Sequence, residues 1–205
     1  MFLSLGNKFA SKSQMSIPVQ HYLVPEQVRG IQKDLSCTVT LESGEDADDW
    51  FVESMQRLLK INEWGKRCPD MNLLFSLTDS NGKNTSRRAH GGDNIKIQNI
   101  STNGNETCWM KIEAIEYDDF PDEDKETIAI HFQPGDDPKQ HNAYNEGFIN
   151  KDASCTFVIE RSGKDITSIY HSRNDVSNNN KTGPLASWFS IKDEQWNKFL
   201  KCMID

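Results

Sequence analysis

Apolar and polar residues alternate along most of the chain, and this period of two is typical of half-buried β-strands. The segments with this pattern are 37–41, 73–77, 95–97, 108–117, 128–132, 155–159 and 166–170. Segment 108–117 predicts a bulge, because Ile112 and Ile115 cannot share a face under strict alternation. The last two segments flank the turn sequence at Ser162-Gly163 and therefore predict a β-hairpin.

Two segments instead repeat their apolar residues every three or four positions, which predicts amphipathic helices. The first helix should run from about Asp46 to Trp64 after a cap at Ser43 or Asp46. Its predicted buried face consists of Phe51, Met55, Leu58 and Leu59. The second should occupy residues 193–204, with Trp196, Phe199, Leu200 and Met203 on one face. A short helix that starts at Pro25 is also expected within residues 21–35.

The predicted order is a strand, a helix, about six antiparallel strands and a closing helix. Because the strands follow one another without crossover helices, the pattern favours an α+β fold over a parallel α/β sheet. Residues 1–20 are mostly polar and predict a flexible N-terminal arm, so residues 21–205 are expected to form one domain.

This order resembles the helix-grip fold of the START and Bet v 1-like (SRPBCC) superfamily, in particular its uncharacterised bacterial proteins. The stretches that carry the resemblance are Asp48–Phe51 with Ile61–Trp64, Gly92–Lys96, Trp109–Ile115, Thr156–Arg161 and His171–Asn174. The resemblance implies a curved antiparallel sheet of six or seven strands, gripped by an N-terminal helical segment and a C-terminal helix. The closing helix, at about 12 residues, is shorter than the superfamily's usual one.

The resemblance also implies a function, which is non-catalytic binding of a small apolar or amphipathic ligand between the sheet and the C-terminal helix. The ligand-binding residues predicted on this basis are Trp109, His131, Tyr170, Arg173, Trp196 and Phe199. One alternative is a protein–protein interaction module with a filled interior and an acidic surface. Another is a cyclase- or hydrolase-like enzyme that uses His131, His171 or Arg173, although no catalytic motif in the sequence supports it.

The charge balance restricts the partners of this chain. The 31 acidic and 23 basic residues give a net charge of -8, which repels nucleic acid and makes a basic protein a candidate partner. No apolar run reaches the length of a membrane-spanning helix, so membrane insertion is not expected. No phosphate-binding glycine motif is present, and no cofactor is predicted. His131 and His141 flank Asp136 and Asp137, but their spacing matches no known metal-ligand pattern, so no metal site is predicted.

The chain has five cysteines, which is an odd number; they are widely spaced, and no two of them form a CxxC motif. This usage is typical of reduced thiols rather than of a disulfide framework. The first residues also lack the apolar stretch of a secretory signal. Together these features predict a cytoplasmic protein.

Overall fold

The computed structural model describes residues 21–100, 107–139, 152–176 and 191–205. The predicted flexible arm, residues 1–20, lies outside the described residues and stays a prediction. No helix in the described ranges is both long and apolar enough to cross a membrane.

Within the described residues, seven strands form one antiparallel sheet, in the order β1-β7-β6-β5-β4-β3-β2. The strands are β1 (Ile31–Thr40), β2 (Leu73–Thr78), β3 (Asn94–Asn99), β4 (Thr107–Phe120), β5 (Lys125–Gly135), β6 (Ser154–Ser162) and β7 (Asp165–Asp175). Strands β2 to β7 follow one another as a meander, and β1 pairs with the last of them. The predicted bulge in β4 is present between Ile112 and Ala114, and the predicted β6–β7 hairpin is confirmed.

The helices are α1 (Gly44–Leu59), α2 (Trp64–Arg67) and α3 (Asp193–Ile204), with short 3-10 turns at Ile61–Glu63, Pro69–Met71 and Pro121–Glu123. Ser43 caps α1 as predicted, since its hydroxyl accepts the Asp46 N–H at 3.0 Å. One sheet gripped by a helical segment after β1 and by a C-terminal helix is the predicted helix-grip α+β fold, and this prediction is confirmed.

The first predicted helix is shorter than its periodicity indicated. It ends at Leu59 because Lys60 leaves the helical region, with φ -92° and ψ 64°. A 3-10 turn follows, and Trp64 then begins the separate α2. This break turns the chain so that the Trp64 ring reaches the interior, where its Nε1–H donates to the carbonyl of Leu58 at 3.2 Å.

The prediction of a short helix within residues 21–35 is wrong. Residues 21–30, which we call the strap, have no regular secondary structure, and β1 already begins at Ile31. The strap's backbone is held by a distant side chain, because Asn174 Oδ1 accepts the N–H groups of Val28 and Arg29 at 2.7 and 3.2 Å. These tertiary hydrogen bonds replace the local ones that a helix would need.

Strand alternation divides the sheet into an inner face, towards the helices, and an outer face. The inner face of the three central strands is apolar and includes Ile130 on β5, Phe157 on β6 and Tyr170 on β7. On the outer face, Leu23 of the strap packs against a small cluster of Ala129, Val158 and Ile169. The strap therefore lies across the side of the sheet opposite to α1 and α3.

Candidate functional site

Aromatic side chains fill the centre of the space between the sheet and the helices. Phe157 lies at the middle of this cluster, with its ring centroid 5.1 Å from Tyr170, 5.2 Å from Phe199, 5.6 Å from Trp196, 5.8 Å from Trp64 and 5.9 Å from Phe132. Every one of these rings is at most 1% exposed. We call these six residues the aromatic cluster.

Three of the six predicted ligand-binding residues belong to this cluster. Tyr170 stacks on Trp196 with ring centroids 4.3 Å apart, and Phe199 lies 5.2 Å from Trp64. The apolar stripe of α3 holds Trp196 and Phe199 against the sheet, as its spacing predicted. These side chains contact one another at the distances of a packed core.

The outer face carries a row of polar residues on four neighbouring strands. His131 on β5 is in register with Thr156 on β6, which is in register with His171 on β7, and His171 is in register with Asp34 on β1. His131 Nδ1 and Thr156 Oγ1 are 2.9 Å apart. We call these four residues the polar row.

Asp34 is the anionic centre of the polar row. Its Oδ1 lies 2.5 Å from His171 Nδ1 and 2.7 Å from a guanidinium nitrogen of Arg173. Burial alone raises the pKa of the Asp34 carboxyl, but hydrogen bonds from Gln32, His171 and Arg173 outweigh it and lower the pKa. Asp34 is therefore ionised at neutral pH and accepts a hydrogen bond from His171 Nδ1–H.

Both histidines of the row are held in the neutral form. Burial lowers the pKa of His171, against the opposing effect of Asp34, and burial likewise lowers the pKa of His131, against Glu113. With Nδ1–H directed at Asp34, His171 Nε2 carries a lone pair, as in the orientation that general bases use. That Nε2 atom is buried and has no hydrogen-bond partner, in a side chain only 2% exposed.

Arg173 is fully engaged within the protein. Besides Asp34, its guanidinium donates to the carbonyls of Lys33 at 3.2 Å and Ser172 at 2.9 Å. These contacts tie β1 to β7 and leave the group only 5% exposed. Such an arrangement stabilises the strand pair and does not present an anion clamp to solvent.

The strap places a third histidine on this face. His21 Nε2 lies 3.3 Å from Asp118 Oδ2 of β4, and burial lowers the His21 pKa although Asp118 raises it. His21 also lies close enough to His171 to lower the pKa of that histidine. Three buried histidines, His21, His131 and His171, thus lie on this side of the sheet, and burial lowers the pKa of each.

The structure therefore divides the predicted site residues between two faces. Tyr170, Trp196 and Phe199 lie together on the inner face, whereas His131 and Arg173 belong to the outer face. The sixth, Trp109, is a half-buried residue of β4 in register with Lys96 and Gly135, and alternation with the core residues Cys108 and Met110 places it on the outer face. The three residues of the enzyme alternative, His131, His171 and Arg173, do lie together.

No three His, Cys, Asp or Glu side chains in the described ranges converge as metal ligands would. His141, one of the residues considered for a metal site, lies outside these ranges.

The sequence reasoning missed Asp34, Thr156 and His21. Thr156 lies in the predicted strand 155–159, so alternation places it on the face opposite to Cys155 and Phe157, whereas Asp34 precedes the first predicted strand and its face was not available from the pattern. Their pairing was not available either, because only the register between β1, β6 and β7 brings them next to His171.

No protein-family profile matches the sequence, and no curated protein matches it significantly. Solved structures with a similar arrangement do exist. Truncated norcoclaurine synthase from Thalictrum flavum matches with a TM-score of 0.40 and 11% identity, over 87% of this chain and 95% of that one. Ara h 8.0201 matches with a TM-score of 0.39 and 10% identity, over 84% of this chain and 95% of that one.

A START superfamily protein from Mycobacterium smegmatis matches with a TM-score of 0.38 and 11% identity, over 85% and 94% of the two chains. The chain is thus similar to Bet v 1-like and START superfamily structures, as the resemblance in its sequence predicts. Similarities this weak give no information about a ligand or an activity of this protein. The fold assignment rests on the element order and strand topology of this chain.

Proposed function

We propose that this protein is a non-catalytic protein–protein interaction module, with an interior filled by its own side chains and an acidic surface that meets a basic partner. The observation that carries the proposal is the aromatic cluster, which occupies the place where a ligand would lie between the sheet and α3. The neighbouring rings of the cluster have centroids 4.3–6.2 Å apart, so a ligand could bind between them only by displacing core side chains.

The surface that the proposal assigns to the partner lies at one end of the sheet. Arg161 receives three carboxylates there, from Asp48 at 3.0 Å, Asp124 at 2.7 Å and Glu126 at 3.0 Å. A single guanidinium cannot neutralise three carboxylates, and the exposed Asp122 and Glu123 add to the excess in the adjoining turn. We call these five acidic residues the acidic end.

Two exposed aromatic side chains lie at the same end of the sheet. Tyr117 is 50% and Phe120 41% exposed, and the Tyr117 hydroxyl donates to Glu126 at 2.8 Å. Exposed aromatics beside unneutralised carboxylates suit a partner that combines basic and apolar residues.

Native mass spectrometry of freshly purified protein tests the filled interior. We expect the mass of the chain alone, with no small molecule that leaves on denaturation. A co-purified apolar molecule, lost when Phe199→Ala or Trp196→Ala is introduced, would overturn the proposal in favour of ligand binding.

Carbodiimide crosslinking to an octalysine peptide tests the acidic end. We expect crosslinks to concentrate on the five acidic-end residues and to weaken in the double variant Asp122→Asn/Glu123→Gln. The matched control Glu26→Gln/Glu63→Gln removes the same charge from exposed acids elsewhere and should keep the crosslinks. Equal loss in both double variants would show attraction to net charge alone and contradict the proposed surface.

The second candidate is the small-ligand binding implied by the resemblance. This candidate is supported by the contact of Trp196 and Phe199 of α3 with each other and of Trp196 with Tyr170 of the sheet. A ligand at this position requires the cluster to open, and the native mass spectrum above distinguishes the two candidates.

A cytoplasmic location, which all five free thiols fit, also remains a proposal.

The enzyme alternative is supported by one feature, the Asp34–His171 pair with its unpaired Nε2. Burial removes that nitrogen from any substrate in solution, so the geometry favours a structural role.

A further inference from the structure

Two cysteines far apart in the sequence meet beside the C-terminal helix. Cys68 ends α2 and is only 2% exposed, whereas Cys202 lies on α3 and is half-buried. The two side chains interact with each other, and this interaction contributes to the raised pKa of Cys68. Both thiols are free, so the pair is present in its reduced form.

A second contact holds the same two segments together. Lys198, one turn before Cys202 on α3, forms an ion pair at 3.4 Å with Asp70, two residues after Cys68. The remaining cysteines are placed differently, with Cys37 on β1, Cys108 on β4 and Cys155 on β6. Cys68 and Cys202 are therefore positioned as a pair by the fold, from segments that only α3 docking brings together.

We infer that Cys68 and Cys202 form a reversible disulfide that locks α3 onto the body of the protein under oxidising conditions. This inference goes beyond the proposed function, because it depends on neither the acidic end nor the contents of the interior.

The reaction needs a two-electron oxidant, for which a small-molecule disulfide such as oxidised glutathione serves. The half-exposed Cys202 attacks first as its thiolate, forming a mixed disulfide and releasing one glutathione. Cys68 then loses its proton and attacks the Cys202 sulfur, which releases the second glutathione. The balance is two protein thiols and one glutathione disulfide giving one protein disulfide and two reduced glutathiones.

The environment of Cys68 makes it the resolving thiol rather than the first nucleophile. Burial raises the pKa of Cys68, and its contact with Cys202 raises it further. Cys68 is therefore protonated at neutral pH and reacts only when a sulfur is already activated beside it.

Thiol counting under denaturing conditions, before and after incubation with oxidised glutathione, tests this inference. We expect five reactive thiols to fall to three, and peptide mass mapping to show a Cys68–Cys202 linkage. In Cys37→Ser, the matched control for a half-buried cysteine, four thiols should fall to two. Five thiols that persist, or a linkage between another pair, would overturn the inference.

Single variants of the pair resolve the order of attack. In Cys68→Ser the Cys202 thiolate has no resolving partner, so we expect four thiols to fall to three with one glutathione retained. In Cys202→Ser all four thiols should stay reactive. Glutathione retained by Cys202→Ser, at Cys68, would contradict the assigned order, and the wild-type mapping decides the pairing should a variant fail to fold.

The locking itself is measured by melting temperature. A crosslink that closes so long a loop should raise the melting temperature of the oxidised protein by about 5 °C or more over the reduced form. An unchanged or lower melting temperature would show that the disulfide does not hold α3 in its docked position.

Discussion

The Asn174 side chain links the end of β7 to the backbone of the strap. It has a left-handed backbone with φ 56°, and its side chain accepts from Val28 and Arg29 and donates to the carbonyl of Glu26. The Asn174 side chain is 5% exposed, although Glu26, Val28 and Arg29 themselves are exposed residues. One asparagine thus combines a left-handed backbone conformation with hydrogen bonds that hold the strap to β7.

Asn174→Ala should lower the free energy of unfolding by about 2–4 kcal/mol, because it removes three hydrogen bonds to the strap backbone and places alanine at a positive φ. Asn72→Ala is the matched control, since Asn72 has φ 53° but is exposed. Asn72→Ala loses only the preference of asparagine for a left-handed backbone, so it should lower the free energy of unfolding by about 1–2 kcal/mol. Urea denaturation measures both, and equal losses would mean that the strap does not depend on the Asn174 side chain.

The buried histidines predict a loss of stability in mild acid. Burial holds the pKa values of His21, His131 and His171 below the ordinary 6.5 in the folded protein. As the pH falls below about 6.5, the unfolded chain therefore binds protons that the folded chain does not, and the free energy of unfolding decreases. The slope for each histidine is at most about 1.4 kcal/mol per pH unit.

Urea midpoints between pH 7.5 and 5.5 measure this slope. His131→Gln should make the slope shallower, whereas His90→Gln, at an exposed histidine, should leave it unchanged. A stability that holds steady or rises on acidification would contradict the buried neutral histidines.

At the scale of elements, α1 and α3 both pack against the inner face of the sheet. Phe51 and Leu58 of α1 are buried, while Met55 and Leu59 of its predicted face are only partly covered. The Trp50 indole of α1 donates to the carbonyl of Ile204 at the end of α3 at 2.6 Å. The two helices therefore stabilise each other as well as the sheet.

Leu58→Ala should lower the free energy of unfolding by about 2–5 kcal/mol. The Leu58 side chain is 0% exposed, so its removal leaves a cavity in the core. Val52→Ala, on the same helix at 45% exposure, is the control and should cost well under 1 kcal/mol. Thermal and urea unfolding report the difference. A loss below about half a kcal/mol for Leu58→Ala would show that this face is not buried.

Truncation after Ser190 should unfold or aggregate the protein. It removes Trp196, Phe199, Leu200 and Met203, each of which contributes on the order of 1.5–3 kcal/mol by burial. The sum approaches the whole net stability of a typical domain, roughly 5–15 kcal/mol. Size-exclusion chromatography and circular dichroism check the result, with Lys201→Ala as a control on an exposed position of α3. A truncated chain that stays monomeric and keeps its melting temperature would contradict the role of α3.

The element order was predictable because the hydrophobic period changes clearly between strands and helices. The outer face of the sheet was not, since its burial depends on the strap, whose conformation comes from Asn174 and not from local preference. The end of α1 at Lys60 could not be predicted from the sequence either, because the apolar period continues through Ile61 and Trp64 although the backbone leaves the α-helix there. Tertiary contacts decide both of these features.

At the scale of the whole molecule, the sheet has two differently occupied faces. The inner face holds the aromatic cluster beneath α1 and α3, and the outer face holds the polar row beside the strap. Of the predicted site, the sequence indicated which residues would be inside under α3, but not that their rings would fill the space by contacting one another. Ring-to-ring packing depends on the register of β5, β6 and β7, which no local pattern encodes.

Nuclear Overhauser spectroscopy on protein with labelled aromatic rings tests the filled interior most directly. Phe157 should show strong cross-peaks to the rings of Trp64, Trp196 and Phe199, whose centroids lie 5.8, 5.6 and 5.2 Å away. All ring signals of the cluster should come from the protein alone. Missing cross-peaks among these rings, together with cross-peaks from Phe157 to a non-protein molecule, would contradict the filled interior and support a ligand between the sheet and α3.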